Sequence, residues 1–267
     1  MMSSHAPFPP PVRRSVAKLH LEARRQMEET PGDPLFLAGW QRALFLHYEV
    51  EAEKLQAVVP FELDLWAGKK AIVSLVAFTM EGMRPSRGGQ WTKWLMAPIA
   101  THDFLNVRTY VRHEGVSGIY FLREWLSNRL ATRLGPLIFG LPYRFGTIEY
   151  DHRPEEGVLE GKVCADDCSL RYRATMAYPS WERVGEGSRD EFLLERYTAF
   201  TCLRNSMRRR SFRVWHEPWR QAPVEVCVED STLIRSLGPW AQETRFIGAN
   251  YSPGVAEVWM GWPRGVG

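Results

Sequence analysis

The stretch LNVRTYVRHEGVSGIYFLR, residues 105–123, indicates the fold class more clearly than any other part of the chain. In its first half, Asn106, Arg108, Tyr110 and Arg112 occupy the even positions, and aliphatic residues and threonine occupy the odd ones. An alternation with a period of two is typical of a β-strand whose two faces differ. Aliphatic and aromatic side chains return after a His-Glu-Gly sequence that is typical of a turn. The stretch therefore predicts two strands joined by a turn.

Segments of the same character recur along the chain, separated by glycine, proline and aspartate. The predicted strands are residues 40–50, 71–79, 105–112, 117–123, 157–164, 169–178, 211–217 and 255–260. The main predicted helix is residues 124–139, and shorter ones are predicted at 51–59 and 190–199. This order lacks the regular strand and helix alternation of Rossmann-like proteins, so it predicts a mostly β (α+β) fold.

Two of the predicted strands have one strongly polar face. In residues 105–112 that face carries Asn106, Arg108 and Tyr110, and in residues 169–178 it carries Arg171 and Arg173. The first interpretation is a solvated outer face, because antiparallel sheets commonly leave one side in water. The alternative places Arg108 inside a barrel mouth, where its guanidinium would bind a carboxylate ligand with two hydrogen bonds.

Composition and charge set the class of protein. The chain has 267 residues, 45% of them hydrophobic, and its formal net charge is 34 − 31 = +3. We expect a Pro-rich and then basic extension at residues 1–34, with a helix within 13–29, and a single domain at 35–267. Interspersed charges predict no nucleic-acid or membrane partner. Four cysteines and no apolar leader segment predict a cytoplasmic location.

Common catalytic motifs are absent from the sequence. There is no P-loop, G-x-G-x-x-G, G-x-S-x-G or H-E-x-x-H sequence, and Cys164 and Cys168 lack the matching pair of a zinc site. We therefore expect neither a metal nor a cofactor. Trp91 and Trp94 lie in the predicted loop GGQWTKWLM at 88–96, where they could cover a cavity.

Several blocks in a fixed order carry a family resemblance. They are WQRALFLHYEVEAEKLQAVVPFELDLWAGKKAIVSLVAFTMEGMRP (40–85), LNVRTYVRHEGVSGIYFL (105–122), FGLPYRFGTIEY (139–150), FLLERYTAFT (192–201) and VWHEPW (214–219). This pattern resembles the YqjF-like bacterial family of domains of unknown function, which is related in fold to acetoacetate decarboxylase. The resemblance implies a closed, strongly curved antiparallel β-barrel with a cavity, one main helix and a few short ones.

The resemblance also directs attention to residues 140–144. Decarboxylases of this type carry Gly-x-Pro followed by two lysines, the first of which forms a Schiff base and is activated, in acetoacetate decarboxylase itself, by its surroundings. The similar segment here is Gly140-Leu141-Pro142-Tyr143-Arg144, so Tyr143 takes the place of the nucleophile and Arg144 that of the second cation. Lys69, Lys70 and Lys162 are poor substitutes, because a turn and a strand edge favour charged, solvated lysines.

These observations predict a small-molecule-binding barrel for an acidic or carbonyl ligand, without a Schiff-base lysine. The predicted binding residues are Arg144, Arg108, Asn106, Tyr110, Trp91 and Trp94, with Tyr143 as the candidate catalytic residue. One alternative is a lyase, hydratase or aldolase acting on an oxo acid, with Tyr143 as proton donor and Arg144 as electrostatic clamp. A second is a protein-interaction module that uses the basic segment 13–25. The sequence leaves catalysis and oligomeric state open.

Overall fold

A computed structural model describes residues 16–68, 70–177, 180–203 and 208–267. Residues 1–15 of the predicted extension, Lys69 and Tyr178 lie outside the described residues. The helices are α1 (Val16–Glu29), α2 (Ala52–Gln56), α3 (Gly89–Ala100), α4 (Ala131–Phe139), α5 (Arg189–Leu194) and α6 (Thr232–Arg235). The strands are β1 (Phe36–Val50), β2 (Glu62–Leu63), β3 (Ala71–Pro85), β4 (His102–His113), β5 (Val116–Leu126), β6 (Tyr143–Phe145), β7 (Thr147–Arg153), β8 (Val158–Ala165), β9 (Cys168–Thr175), β10 (Glu182–Arg183), β11 (Thr198–Leu203), β12 (Arg208–His216), β13 (Arg220–Pro223), β14 (Glu225–Asp230), β15 (Arg245–Met260) and β16 (Arg264–Gly265).

Seven strands form a ring in the order β1-β3-β4-β5-β11-β12-β15, and β15 pairs again with β1. The ring is uneven, because β5 and β11 pair at only two positions and β12 and β15 at three. The sheet is also mixed, since β5 runs parallel to both β11 and β6. The mostly β fold is confirmed, whereas the expectation of a purely antiparallel barrel is wrong.

A second sheet, in the order β14-β9-β8-β7, covers one part of the outer face of the ring. The apolar side chains between the two sheets include Leu105 and Val107 from β4 and Leu159, Leu170 and Tyr172 from the second sheet, all buried. The odd positions of β4 therefore face this outer core. Burying such side chains supplies most of the favourable free energy of folding.

The even positions of β4 face the interior of the ring, so the solvated interpretation of that polar face is wrong. Asn106, Arg108 and Tyr110 are only 6%, 5% and 1% exposed. Because an outer sheet covers one face of β4 and the ring encloses the other, the alternation separates two cores rather than core from water. The solvated interpretation does hold for β9, where Arg171 and Arg173 are exposed.

Three predicted elements differ from the structure, and one of them is the short helix at 190–199, which ends at Leu194 and is followed by β11 from Thr198. The main predicted helix at 124–139 is a strand up to Leu126 and a helix only from Ala131, because residues 124–126 continue the pairing with β4. The oxygen Oδ1 of Asn128 accepts hydrogen bonds from the backbone of Leu130 and Ala131, which starts α4. The predicted loop at 88–96 lies largely within α3. In the described part of the chain the longest helix is α1, with 14 residues, and not the helix predicted at 124–139.

Helix α1 packs on strand β12 of the ring. Its Met27 is completely buried, and the indole nitrogen Nε1 of Trp215 donates a 3.1 Å hydrogen bond to the carbonyl of His20. The guanidinium of Arg24 lies 5.0 Å from the ring centre of Trp215. The described part of the basic segment is thus held against the ring.

Glu195 gives the fold a specific pH dependence. Its buried carboxyl accepts hydrogen bonds from the Trp219 backbone (2.8 Å) and the Tyr197 hydroxyl (2.5 Å), and burial raises its pKa from 4.5 to about 7. The folded state therefore holds this proton more tightly than the unfolded state. The resulting stability is complete below about pH 4.5 and is lost as the pH rises through about 7.

We expect Glu195→Gln to be increasingly more stable than the wild type as the pH rises from 4.5 to above 7, reaching a difference of about 3 kcal/mol. Urea unfolding at several pH values, with Glu191→Gln as the control, measures this difference. If the difference in free energy of unfolding between Glu195→Gln and the wild type stays constant across that pH range, the pKa of Glu195 is not raised by folding.

Candidate functional site

A row of polar side chains crosses three neighbouring strands on the inner face of the ring. Asn106 of β4 is the register partner of Glu124 of β5, which in turn is the register partner of Tyr143 of β6. Arg108 lies two residues further along β4 and therefore on the same face as Asn106. We call Asn106, Arg108, Glu124 and Tyr143 the inner polar row.

Three atoms of the inner polar row are buried and have no hydrogen-bond partner within the described part of the chain. They are Oδ1 of Asn106, Nε of Arg108 and Oε2 of Glu124. More than about 90% of buried polar groups in proteins have a partner. The three exceptions in the inner polar row lie on two adjacent strands, β4 and β5.

The electrostatics of the row leave one positive charge. Burial raises the pKa of Glu124 well above its usual value, against the opposing effect of Arg108. Burial also raises the pKa of Tyr143, with a smaller contribution from Glu124. Burial therefore favours the protonated, neutral form of both groups. The Arg108 guanidinium donates a 3.2 Å hydrogen bond to the Leu193 carbonyl, and none of the ion pairs found among the described residues includes it.

A second network holds Arg108 in place. The Tyr110 hydroxyl also donates to the Leu193 carbonyl, at 3.0 Å, and it lies 2.6 Å from Oγ of Ser74. Oγ of Ser74 lies 2.7 Å from Nδ1 of His47, and Nε2 of His47 lies 3.0 Å from Oδ1 of Asn250. Burial lowers the pKa of His47 to about 3.

A cleft of about 790 Å³ lies where β5 leaves β11 and turns to β6. Its lining includes Phe121 and Arg123 of β5, the Gly140-Leu141-Pro142 segment, and Thr201. Pro142 and Arg123 directly precede Tyr143 and Glu124 in the sequence, but no residue of the inner polar row is among the lining residues of the cleft. The motif that the sequence analysis singled out thus forms part of the cleft wall.

The structure brings some of the predicted site residues together and separates others. Asn106, Arg108, Tyr110 and Tyr143 lie on the inner face of the ring. Arg144 is exposed on the opposite face of β6, because successive strand residues point to opposite sides. Trp91 and Trp94, on α3, are 67% and 81% exposed and do not line the cleft.

Sequence reasoning missed Glu124 and the Ser74-His47-Asn250 network. Glu124 was assigned to the start of a helix, although aromatic and aliphatic residues continue from the preceding strand up to Leu126. In the part of the chain that the structure describes, no three His, Cys, Asp or Glu side chains are grouped to hold a metal ion. In that same part, no helix is both long and apolar enough to cross a bilayer.

Comparison with protein families gives one match over most of the chain. Residues 37–256 match the DUF2071 family of uncharacterized conserved proteins. The uncharacterized protein YqjF of Bacillus subtilis is 28% identical over 203 residues, which cover 74% of this chain and 80% of YqjF. The resemblance found in the sequence is confirmed.

Solved structures with a similar fold include an acetoacetate decarboxylase, an acetoacetate decarboxylase-like enzyme and an enzyme of enduracididine biosynthesis. The acetoacetate decarboxylase of Legionella pneumophila is similar with a TM-score of 0.60 and 14% identity, over 91% of this chain and 94% of the other. An acetoacetate decarboxylase-like enzyme of Sphingomonas wittichii gives 0.56 and 17%, over 88% and 94%. The enduracididine biosynthesis enzyme MppR, complexed with pyruvate, gives 0.59 and 13%, over 88% and 91%.

Proposed function

The chain belongs to the DUF2071 family and has an acetoacetate decarboxylase-like fold, and on this basis we propose that it binds a small oxo acid or a related carboxylate inside the ring. The inner polar row is the proposed binding site. The observation that carries the proposal is the set of three buried and unpartnered atoms on Asn106, Arg108 and Glu124. A ligand that supplies their missing hydrogen bonds would remove the free-energy cost of leaving them unpaired.

The charges of the site favour a monoanion. Arg108 is a cation that none of the described ion pairs includes, and its planar guanidinium suits a carboxylate. Glu124 and Tyr143, whose protonated forms burial favours, are positioned to donate hydrogen bonds to a carbonyl oxygen. Pyruvate has both groups, and it is bound by MppR, a protein with this fold.

We further propose that the protein acts without a Schiff base. The lysines that the structure describes lie away from the inner polar row. Lys18, Lys54, Lys70 and Lys93 are exposed, and Lys162 lies on the second sheet beside Glu149 and Arg171. Tyr143 occupies the inward position of the motif, and a phenol forms no imine with a carbonyl compound.

Ligand binding is expected to raise the melting temperature of the wild type. At a concentration about 100 times its dissociation constant, a ligand adds about 2.7 kcal/mol of stability, which corresponds to roughly 5–10 °C for a chain of this size. Thermal-shift measurements with pyruvate, acetoacetate and longer 2-oxo acids test this. Arg144→Gln should retain the whole shift, because Arg144 is exposed on the outer side of β6. The absence of a shift with every oxo acid and carboxylate, or its loss in Arg144→Gln, would contradict the proposed site.

The juxtaposition of Glu124 and Tyr143 also supports the enzyme alternative. Two neutral proton donors lie side by side on β5 and β6, where one can protonate an enolate or a carbonyl oxygen. If the bound oxo acid is turned over, we expect Tyr143→Phe to lower kcat by about 10²–10⁴-fold with little change in KM. Proton exchange at the carbon next to the carbonyl, followed by NMR in D₂O, measures the rate. Unchanged exchange in Tyr143→Phe would remove Tyr143 from the reaction.

A further inference from the structure

Helices α3 and α4 both expose large apolar side chains. On α3, Trp91, Trp94 and Leu95 are 67%, 81% and 62% exposed, and they follow one another at the spacing of one helix face. The exposed apolar side chains of α4, together with Leu130 directly before it, have the same periodicity. They are Leu130, Leu134, Leu137 and Ile138. These seven are more than half of the twelve large apolar side chains that are exposed in the described chain.

The two helices are neighbours over the same part of the ring. Nδ2 of Asn128, at the start of α4, donates a 2.7 Å hydrogen bond to the carbonyl of Pro98 near the end of α3. Ile99 of α3 and Ala131 and Phe139 of α4 are buried in the same inner cluster. Each helix therefore has one apolar face in the core and a second one outside. We call the exposed residues of α3 and α4 the two-helix face.

The sequence segments that carry the two-helix face contain basic residues only, and one of these, Arg84, pairs with Glu257 of β15. Residues 82–102 contain three basic residues and no acidic residue, and so do residues 125–148. Lys93, Arg129, Arg133 and Arg144 are exposed, and none of the ion pairs found among the described residues includes them. The net charge of the whole chain is +3, so the residues outside these two segments have a net charge of 3 − 6 = −3.

We propose that the two-helix face docks this protein onto the surface of a lipid bilayer that contains anionic lipids. Tryptophan favours the interface between water and hydrocarbon, because its ring is apolar and its N–H is polar. Helices with exposed apolar side chains flanked by lysine and arginine lie in the plane of such an interface. Each basic residue near the surface strengthens binding to anionic headgroups by about fivefold.

A second copy of the chain fits this face less well than a bilayer. In a twofold dimer the same patch meets itself. Lys93, Arg129, Arg133 and Arg144 of each copy, which are exposed and outside the described ion pairs, would then be brought together, and juxtaposed like charges oppose association. The sequence-based expectation of no membrane partner rested on the small total charge and on charges interspersed along the whole chain, which do not describe this local distribution.

The test uses the full chain and large unilamellar vesicles of phosphatidylcholine, alone or with about 30% phosphatidylglycerol. We expect the wild type to float with the anionic vesicles and to bind at least about tenfold more weakly to the neutral ones or in high salt. Lys93→Glu with Arg133→Glu should weaken binding by about 25-fold or more. Trp94→Ser with Leu137→Ser should weaken it by at least about tenfold, because both side chains are exposed and available to enter the interface.

Matched controls lie on α1. Leu21→Ser and Arg25→Glu remove an exposed leucine and an exposed arginine from another face and should change binding by less than about twofold. Brominated lipids should quench the tryptophan fluorescence of the bound protein less in Trp91→Phe with Trp94→Phe than in the wild type. This double variant keeps the face apolar. The proposal is overturned if the wild type does not bind anionic vesicles, or if the controls lose binding equally. It is also overturned if the wild type is a dimer that Trp94→Ser with Leu137→Ser converts to monomers.

Discussion

Asp64→Ala is expected to lower the free energy of unfolding by about 3–5 kcal/mol, because it removes the carboxylate that neutralises a buried arginine. Oδ2 of Asp64 accepts a 2.9 Å hydrogen bond from Arg196, and both side chains are only 8% exposed. Oδ1 accepts a second 2.9 Å bond from the half-exposed Arg112. Burial lowers the pKa of Arg196, and the charge of Asp64 opposes that effect. Without Asp64, the guanidinium would stay in the interior unpaired.

The loss is measured by urea unfolding with an unchanged m-value, and it corresponds to a fall in melting temperature of roughly 10 °C. Asp151→Ala is the matched control. Its ion pair with Arg153 has the same type of partner, but the Asp151 side chain is 60% exposed, so its loss should cost less than about 1 kcal/mol. A cost for Asp64→Ala no larger than that of the control would mean that the buried pair does not stabilise the fold.

The same ion pair supports the proposed site. The Arg196 guanidinium lies 4.1 Å from the ring centre of Phe192 and 5.3 Å from that of Tyr110. Tyr110 in turn shares the Leu193 carbonyl with Arg108. Asp64→Ala should therefore also weaken ligand binding, although Asp64 does not contact the inner polar row.

Local periodicity was sufficient to predict eight of the sixteen described strands, but not what covers them. The alternation in residues 105–112 correctly grouped Asn106, Arg108 and Tyr110 on one face. Whether that face meets water or a core depends on closure of the ring, which requires β12 to pair with β15 across more than forty residues of sequence. No local pattern contains that information.

The candidate site was predictable only in part for the same reason. Asn106, Glu124 and Tyr143 become neighbours through the registers of β4, β5 and β6, and β6 has only three residues, too few to show an alternation. Family resemblance located the segment at residues 140–144. It did not show that strand geometry turns Tyr143 inward and Arg144 outward.

Arg108→Met is expected to weaken oxo-acid binding by about 30- to 1000-fold or more, which corresponds to about 2–5 kcal/mol for the loss of one partner of a buried charge pair. Methionine fills much of the same space, and the Leu193 carbonyl keeps its hydrogen bond from Tyr110. Binding of pyruvate or acetoacetate, measured by calorimetry, tests the prediction, with Arg144→Met as the control on the outer face.

Stability without ligand should change in the opposite direction from binding. Arg108 is a buried cation outside the described ion pairs, and its Nε has no hydrogen-bond partner within the described chain. Replacing an uncompensated buried charge by an apolar side chain of similar volume is commonly neutral or stabilising, so we expect Arg108→Met to gain about 0–2 kcal/mol. Asp64→Ala, in contrast, loses stability. If Arg108→Met weakened both binding and folding, Arg108 would be a structural residue. If it weakened binding alone, the buried charge of Arg108 would serve ligand binding and not the stability of the ring.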